Sequence, residues 1–344
     1  MLIAIIGFYI ANIAILLYDI PKEGADGRMK MSEVRRITEA MIRIQPADRE
    51  KEMQKLLCSM GIEPGSLYQE LEMESKYVDT HQDSSYSNAN VNLHSHTFFE
   101  ILYCRNTCGA EYLVGRDRYR LQKGDIVLIP PGVSHRPLLP ECMTEPYKRD
   151  VLWLSPEFLN ILKENFPEDD LYQITETHLL RTAGTNWEFL GEKFHQGVLE
   201  TERRNLGWEI AVAANTMQLV VQLRRAVLDR TSRKMIAEQP ELLDQVMAYI
   251  EEHLSDKISL SDVAKQFYVS ESTISQIFRK KMGVSFYRCV TQRRLISAKN
   301  LILSGTALET VAEKTGFSDY STFYRAFKGE FGISPRQYRS QQNK

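Results

Sequence analysis

Residues 310–339 read TVAEKTGFSDYSTFYRAFKGEFGISPRQYR, and the period of this stretch decides how the C-terminal third folds. Val311 and Ala312 share one helical face, and Gly316 stands where a helix would close on a left-handed residue. Ser318 is placed to cap a second helix, in which Phe323, Ala326, Phe327 and Phe331 recur at i, i+3, i+4 and i+8 and face inward. The opposite stripe, Ser321, Arg325 and Lys328, is polar and basic. A short helix, a tight turn and a second helix with a basic outer stripe describe a helix-turn-helix, whose second helix enters the DNA major groove. An αα-hairpin in an ordinary helical core has the same outline. A second copy upstream decides between them.

That copy is residues 260–283, LSDVAKQFYVSESTISQIFRKKMG. Phe278 and Gly283 answer to Phe327 and Gly332; Ile274, Ile277 and Phe278 face inward, and Ser272, Ser275, Gln276 and Arg279 face out. Ser259 and Asp262 are spaced as a capping box before this unit, and Thr306 and Glu309 repeat the spacing before the next. Between them, residues 285–303 form one amphipathic helix with Phe286, Val290, Leu295, Ala298 and Leu301 or Ile302 inward. At about 1.5 Å per residue it spans about 28 Å, which with its turns sets the two reader helices roughly 34 Å apart, one turn of DNA.

The run GFSDYSTFYRAFKGEFGISPRQYR resembles the C-terminal signature of the AraC/XylS family of bacterial transcription regulators. The pattern is met at Gly316, Phe317, Asp319, Ser321, Phe323, Arg325, Phe327, Lys328, Gly332, Ser334, Pro335, Tyr338 and Arg339, and the resemblance covers about the last hundred residues. By that resemblance, base readout falls on Ser272, Ser275 and Gln276 in the first unit and on Tyr320, Ser321, Thr322 and Arg325 in the second. Gln prefers adenine and Arg guanine. Arg279, Lys280, Arg288 and Arg336 would hold phosphates, whereas Arg294 braces the linking helix.

Charge is distributed to match. The chain carries a net −2, but residues 241–344 hold 15 Lys+Arg against 11 Asp+Glu, a net of +4, which leaves −6 on the first 240 residues. A basic third on an acidic body suits a DNA-binding module joined to a partner domain that does not touch DNA. Five scattered cysteines, Cys58, Cys104, Cys108, Cys142 and Cys289, argue against a disulfide framework and for a reducing cytoplasm.

At 344 residues there is room for two cores. Residues 1–20, MLIAIIGFYIANIAILLYDI, are nearly all apolar and just long enough to span a bilayer, with Lys22, Arg28, Lys30, Arg35 and Arg36 behind them. Three readings stay open for residues 1–28: a mis-assigned start ahead of Met29 or Met31, a membrane anchor, or a packed soluble helix. Residues 29–71 form a helical segment, two helices over 32–60 broken at Pro46 and then a turn at 61–65. Residues 72–155 form a β barrel, within which 81–90 (HQDSSYSNAN) is a polar loop and 150–154 a last strand with Trp153 inward. Residues 156–228 are helical: Ser155 caps 156–165, with Pro156 at the first position, and 188–199 and 207–228 follow. Ile210, Ala214, Met217, Val221 and Leu228 make a broad apolar stripe on the last of these, with one face for the barrel and another for a partner chain. Residues 229–240 are a linker and 241–344 the DNA-binding domain.

The barrel carries the second constellation. In VNLHSHTFFEILY (91–103), His94, His96 and Glu100 fall on one face of a strand by alternation. Residues 112–114 and 119–121 alternate about Gly115 as a hairpin, and GDIVLIPPGVSH (124–135) gives a turn, a buried strand and a Pro-Gly bend ending in His135. These motifs resemble the cupin double-stranded β-helix: Gly124, Pro130, Gly132 and His135 meet its second motif, although Leu139 stands where cupins usually have Asn.

The fold expected is therefore α+β: an N-terminal cupin sensor with flanking helices, then an all-α domain with two helix-turn-helix units. The resemblance implies a DNA-binding regulator, an activator by family habit. Its effector would be a sugar or related small metabolite held by His94, His96, Glu100 and His135. Its partners would be promoter DNA, RNA polymerase and a second copy of the chain, with a membrane only if the N-terminal stretch is an anchor. The same four side chains would suit Fe, Mn, Ni or Zn, the metals of enzymatic cupins, so a metal-dependent enzyme fused to a DNA-binding tail is the rival reading. Because AraC-type sensors resemble the metal-free cupins, no metal, cofactor or catalytic residue is expected.

Overall fold

The computed structural model describes residues 29–30, 71–85, 93–140, 143–167, 179–229 and 241–342. The N-terminal extension, the helices expected over 32–60 and the linker beyond Asp229 lie outside these residues. The chain divides into two compact units, one running Ser75–Phe323 and the other including Tyr324–Lys344. In the latter, β1 (Met29–Lys30) and β2 (Leu71–Glu72) pair in parallel.

Two antiparallel sheets build the sensor. The larger has the order β10-β7-β4-β9-β3, from β3 (Val78–Ser85), β4 (Phe99–Cys104), β7 (Asp125–Ile129), β9 (Tyr147–Leu154) and β10 (Leu179–Arg181). The smaller has the order β6-β5-β8, from β5 (Glu111–Val114), β6 (Asp117–Arg120) and β8 (His135–Leu138). β7, DIVLI, is buried at every position, as expected of an interior strand covered on both faces. The β5–β6 hairpin turns at Gly115, which takes φ +58°.

Three strands depart from the sequence reading. The polar run at 81–85 is part of β3 and pairs along its whole length with β9, because its polar side chains find partners on that strand: Arg149 donates to Ser85 and Asp83. β9 begins at Tyr147 rather than 150, and it is not the last strand, since β10 adds to the edge of β7. The strand containing Glu100 starts only at Phe99; His94 forms an isolated bridge to His135 and His96 lies in irregular chain.

Helices cover the outer face of the larger sheet. In α1 (Pro156–Asn165), Ser155 Oγ accepts from the Phe158 amide at 3.2 Å, with proline at the first turn. α2 (Leu190–Arg203) and α3 (Trp208–Leu228) bring Phe194, Val212, Leu219, Val220 and Leu223 onto Ile101, Leu128 and Leu152. Each such buried side chain contributes about 1.5–3 kcal/mol. The stripe Ile210–Met217–Leu228 is the other face of α3: Ile210 is 76% and Leu228 64% exposed.

The DNA-binding half is all α. α4 (Leu242–Glu252) precedes the first unit, α5 (Leu260–Gln266) and α6 (Glu271–Ile277), which runs on as a π-helical turn over Phe278–Met282. α7 (Phe286–Leu303) links it to α8 (Leu308–Lys314) and α9 (Tyr320–Phe331), and α10 (Pro335–Gln342) follows. Both turns close alike. The Val269 amide bonds the Ala264 carbonyl and the Phe317 amide bonds that of Ala312, with Tyr268 (φ +56°) and Gly316 (φ +74°) in the left-handed position between. The caps differ in part from expectation. Ser259 caps as read, and Ser285, read as the first residue of the linking helix, is its cap; α8 starts at Leu308 with Ala307 as a cap that makes no side-chain bond, so Thr306 is one residue too early. Before α9 it is Asp319, not Ser318, that accepts from the Thr322 amide, at 2.7 Å, while Ser318 donates to Asp319. Phe278 and Phe323 are fully buried, as is Phe327 in the other unit, where it packs on Phe331 and Tyr338.

The smaller sensor sheet and the first reader unit share one apolar cluster. Leu93, Leu113 and Leu138 pack with Val246, Met247, Ile250, Phe278 and Phe286. At its edge the buried Arg118 donates to both carboxylate oxygens of Asp244, at 2.9 and 3.1 Å, and to Glu111 at 2.6 Å.

Gly316 tests the turn. A Cβ there would overlap the Leu254 carbonyl oxygen and the Arg294 guanidinium, besides the left-handed strain of about 1–2 kcal/mol. Gly316→Ala should lower the thermal midpoint by several degrees in a calorimetric scan, whereas alanine at Gly329, whose Cβ would meet nothing within 4 Å, should not.

Candidate functional site: a polar sensor core and an outward reading face

Alternation along β4 sends Ile101 to the helices and Glu100 to the interior between the sheets. Trp153, opposite Glu100 in register, donates its indole N–H to Glu100 Oε1 at 2.9 Å. The other oxygen, Oε2, faces two imidazoles: His135 Nε2 at 3.0 Å and His96 Nε2 at 3.6 Å. His94 joins them, its ring centroid 4.2 Å from that of His135 and 6.2 Å from that of His96. All four expected side chains therefore converge, although by a bridge and a bend rather than along one strand.

Their tautomers are fixed. His96 Nδ1 lies 2.7 Å from the Phe98 carbonyl oxygen and His135 Nδ1 2.9 Å from that of Val133. A carbonyl only accepts, so each Nδ1 carries the proton and, in the neutral ring, each Nε2 presents a lone pair. His96 Nε2, His135 Nε2 and Glu100 Oε2 are buried with no donor supplied by the protein. A hydrogen bond from His135 to Glu100 would require the doubly protonated ring. Burial alone would raise the Glu100 pKa, but the facing His135 and His96 hold it well below the usual carboxylate range. Burial pushes His96 down, partly offset by Glu100. With both rings neutral the three atoms are all acceptors, so the cluster calls either for a donor from outside or for a proton on one ring, which at 3.0 Å would bridge His135 Nε2 to Glu100 Oε2.

The same interior holds Tyr112, Tyr147 and Arg149, which the sequence reading left out. Tyr112 stacks on His135 at 6.3 Å, and the Arg149 guanidinium lies 4.9 Å above the Tyr147 ring. The signal was available: counting back by twos from the inward Trp153 reaches Val151, Arg149 and Tyr147. His94, Glu100 and His135 also offer ligand atoms all within 4.8 Å of one another, so the donor set fits a divalent cation.

On the DNA-binding half, Ser272, Gln276, Arg279, Lys280 and Arg288 are exposed and Ser275 is half-buried. In the second unit Ser321, Arg325, Lys328 and Arg336 are exposed, and Tyr320 and Thr322 half-buried. Arg294 donates to the carbonyls of Leu254 at 3.0 Å and Asp256 at 2.5 Å, which makes it a brace for α7.

Asp83 gives the sensor core a pH signature. Burial would raise its pKa, but the Arg149 guanidinium and His81 hold it below the ordinary value. Its contribution is therefore present above the unfolded carboxylate range and lost as pH falls through the lower folded value. Asp83→Asn should destabilise the sensor at neutral pH by about 1.5–3 kcal/mol, the range for a hydrogen bond to a charged group. In denaturant melts the difference from wild type should shrink as pH drops from about 5 towards 2.

Known proteins share this arrangement in two blocks. A family profile described as the AraC-like ligand binding domain matches residues 80–137, and a helix-turn-helix domain profile matches residues 263–341. The HTH-type transcriptional activator RhaS of Salmonella arizonae is 29% identical over 255 residues, 72% of this chain and 86% of that protein. The regulatory protein PocR of Salmonella typhimurium is 34% identical over 102 residues, 29% of this chain and 34% of that protein. Among solved structures, the C-terminal domain of AraT, a response regulator from Geobacillus stearothermophilus, is 30% identical with a TM-score of 0.29, covering 30% of this chain and 88% of that one. Among the described residues no helix is long and apolar enough to cross a membrane. The chain thus carries a domain of the AraC-like ligand-binding type followed by a helix-turn-helix domain, and in both it is similar to AraC-type DNA-binding transcription regulators.

Proposed function

We propose that this chain is a cytoplasmic transcription activator that answers to a small polyhydroxylated metabolite, a sugar or a close relative, held at His94, His96, Glu100 and His135. The observation that carries the reading is the convergence of buried His96 Nε2, His135 Nε2 and Glu100 Oε2, which with neutral rings have no protein donor. An unsatisfied buried polar group costs about 1–3 kcal/mol, and a hydroxyl-rich ligand supplies the missing donors. Family resemblance supports activation through RNA polymerase. The exposed apolar stripe of α3 around Ile210 and Met217 supports a homodimer joined along that helix. Binding alone, without turnover, is the role given to the sensor.

DNA readout follows from the exposed faces. Arg325→Ala should weaken binding to a duplex selected with this protein by about 1–3 kcal/mol and relax preference at one base, as for a guanine contact. Arg279→Ala should weaken all sequences alike and flatten the salt dependence. Unchanged affinity and preference in the Arg325 variant would remove that residue from the groove.

A second reading is favoured by the same atoms: a divalent cation held by His94, Glu100 and His135. Bound there, it would offer a Lewis-acid contact to an oxygen ligand. Metal analysis of protein purified without chelators separates the two. The metabolite reading expects no stoichiometric transition metal, and expects His96→Ala and His135→Ala to abolish the effect of the active sugar, found by titrating a sugar panel, on DNA affinity. A stoichiometric metal together with turnover of a panel compound would replace it with the enzyme.

A further inference from the structure

The short stretch that carries the third imidazole also grips the reader. Ser134 accepts from Arg293 of α7, His135 enters the site, and Arg136 donates to the Met282 carbonyl at 2.5 Å, at the end of the first reader helix. The other imidazoles are wired likewise. His94 and His135 exchange backbone bonds of 3.2 and 2.8 Å, and the carbonyl of Ser95 accepts from Lys299 at 3.4 Å. The His96 carbonyl accepts from the Gly132 amide at 2.8 Å, and the Gly132 carbonyl accepts from Asn300 at 3.3 Å. Each ring's residue is thus one covalent or one hydrogen-bonded step from a residue that itself bonds α7 or Met282.

The grip tolerates one register. Arg293, Arg136 and Lys299 are each 2–3% exposed. Arg293 also donates to the Gly115 carbonyl at 2.6 Å, with Glu251 as its carboxylate partner. A slip that separates one of these buried cations from its partners leaves an uncompensated buried charge and is strongly disfavoured. The apolar cluster beneath gives adhesion without direction. Such an interface switches between arrangements rather than stretching. Docking does not hide the reading face, since Ser272, Gln276 and Arg279 remain exposed.

We propose that the sensor controls the first helix-turn-helix unit directly, by holding α7 and the end of its reader helix through residues 132–136 and Ser95, so that a change at the imidazole cluster is read as the position of that unit on DNA. The inference rests on the cluster being the effector site.

The test is a double-mutant cycle on the full chain, with a duplex selected from a random-sequence pool by the wild-type protein and Kd read at fixed salt. His94→Gln and Arg136→Gln are made singly and together, and circular dichroism confirms folding. The fold-losses should fail to multiply by about fivefold or more, the lower range for coupled sites. A control cycle of His94→Gln with Lys328→Ala, on the second reader helix, should multiply within about twofold. If Arg136→Gln does not fold, Asn300→Ala takes its place on the same route. A first cycle that also multiplies within about twofold, or a control that deviates as much, overturns the proposal. No effector is used, so this failure leaves the effector site standing, whereas a sugar panel without effect would remove that site and leave the cycle's result intact.

Discussion

The carbonyls of Phe98 and Val133 each accept a hydrogen bond from an imidazole Nδ1–H, and the arrangement of the polar core depends on that pair of bonds. With the Nδ1 protons committed, both rings turn lone pairs towards the carboxylate of Glu100, which Trp153 holds in place from the neighbouring strand. Sugar recognition is easily imagined as imidazoles adapting their tautomers to whatever hydroxyl arrives. The two carbonyls remove that freedom. With neutral rings, the atoms left over favour partners that give hydrogen bonds or positive charge over carboxylates and ketones.

Around this centre the two sheets do different work. The larger is sealed on its outer face by α1–α3 and serves as a rigid wall. Among the described residues the smaller has no such helices; its apolar side chains join the core of the first reader unit. The π-helical turn at Phe278–Met282 belongs to this arrangement. It ends the reader helix at the carbonyl that Arg136 takes up, with Gly283 in a left-handed conformation beyond it. Irregular helical turns of this kind gather where function needs a non-standard geometry.

Much of this was legible in the sequence, and the failures have physical causes. The two helix-turn-helix units were readable because their inward aromatic residues recur at helical spacing and their glycines mark where chirality must reverse, as Gly316 and Gly283 do. The imidazole cluster was readable by composition, but its geometry was not: His94 and His96 meet Glu100 through a bridge and a bend, which alternation cannot describe. β3 was missed beyond Thr80 because HQDSS looks like loop when an apolar interior is assumed, whereas this interior contains Arg149. Arg293, Arg136 and Lys299 were passed over because a basic side chain is ordinarily a surface one. Their burial depends on the Met282 carbonyl, the Ser134 hydroxyl and the Ser95 carbonyl, 146 to 204 residues away in sequence, which no local pattern encodes.

The shared core of sensor and reader bears on how such proteins can be recombined. Exchanging sensors between relatives, with the junction cut in the segment ahead of Glu241, treats the two halves as beads on a string. Here that cut would strip Leu113 and Leu138 of their apolar neighbours and leave Arg118 and Arg136 facing whatever the new half presents. A workable graft would have to carry the facing surfaces of α4 and α7 along with the barrel, so the transferable piece of this protein is discontinuous in sequence.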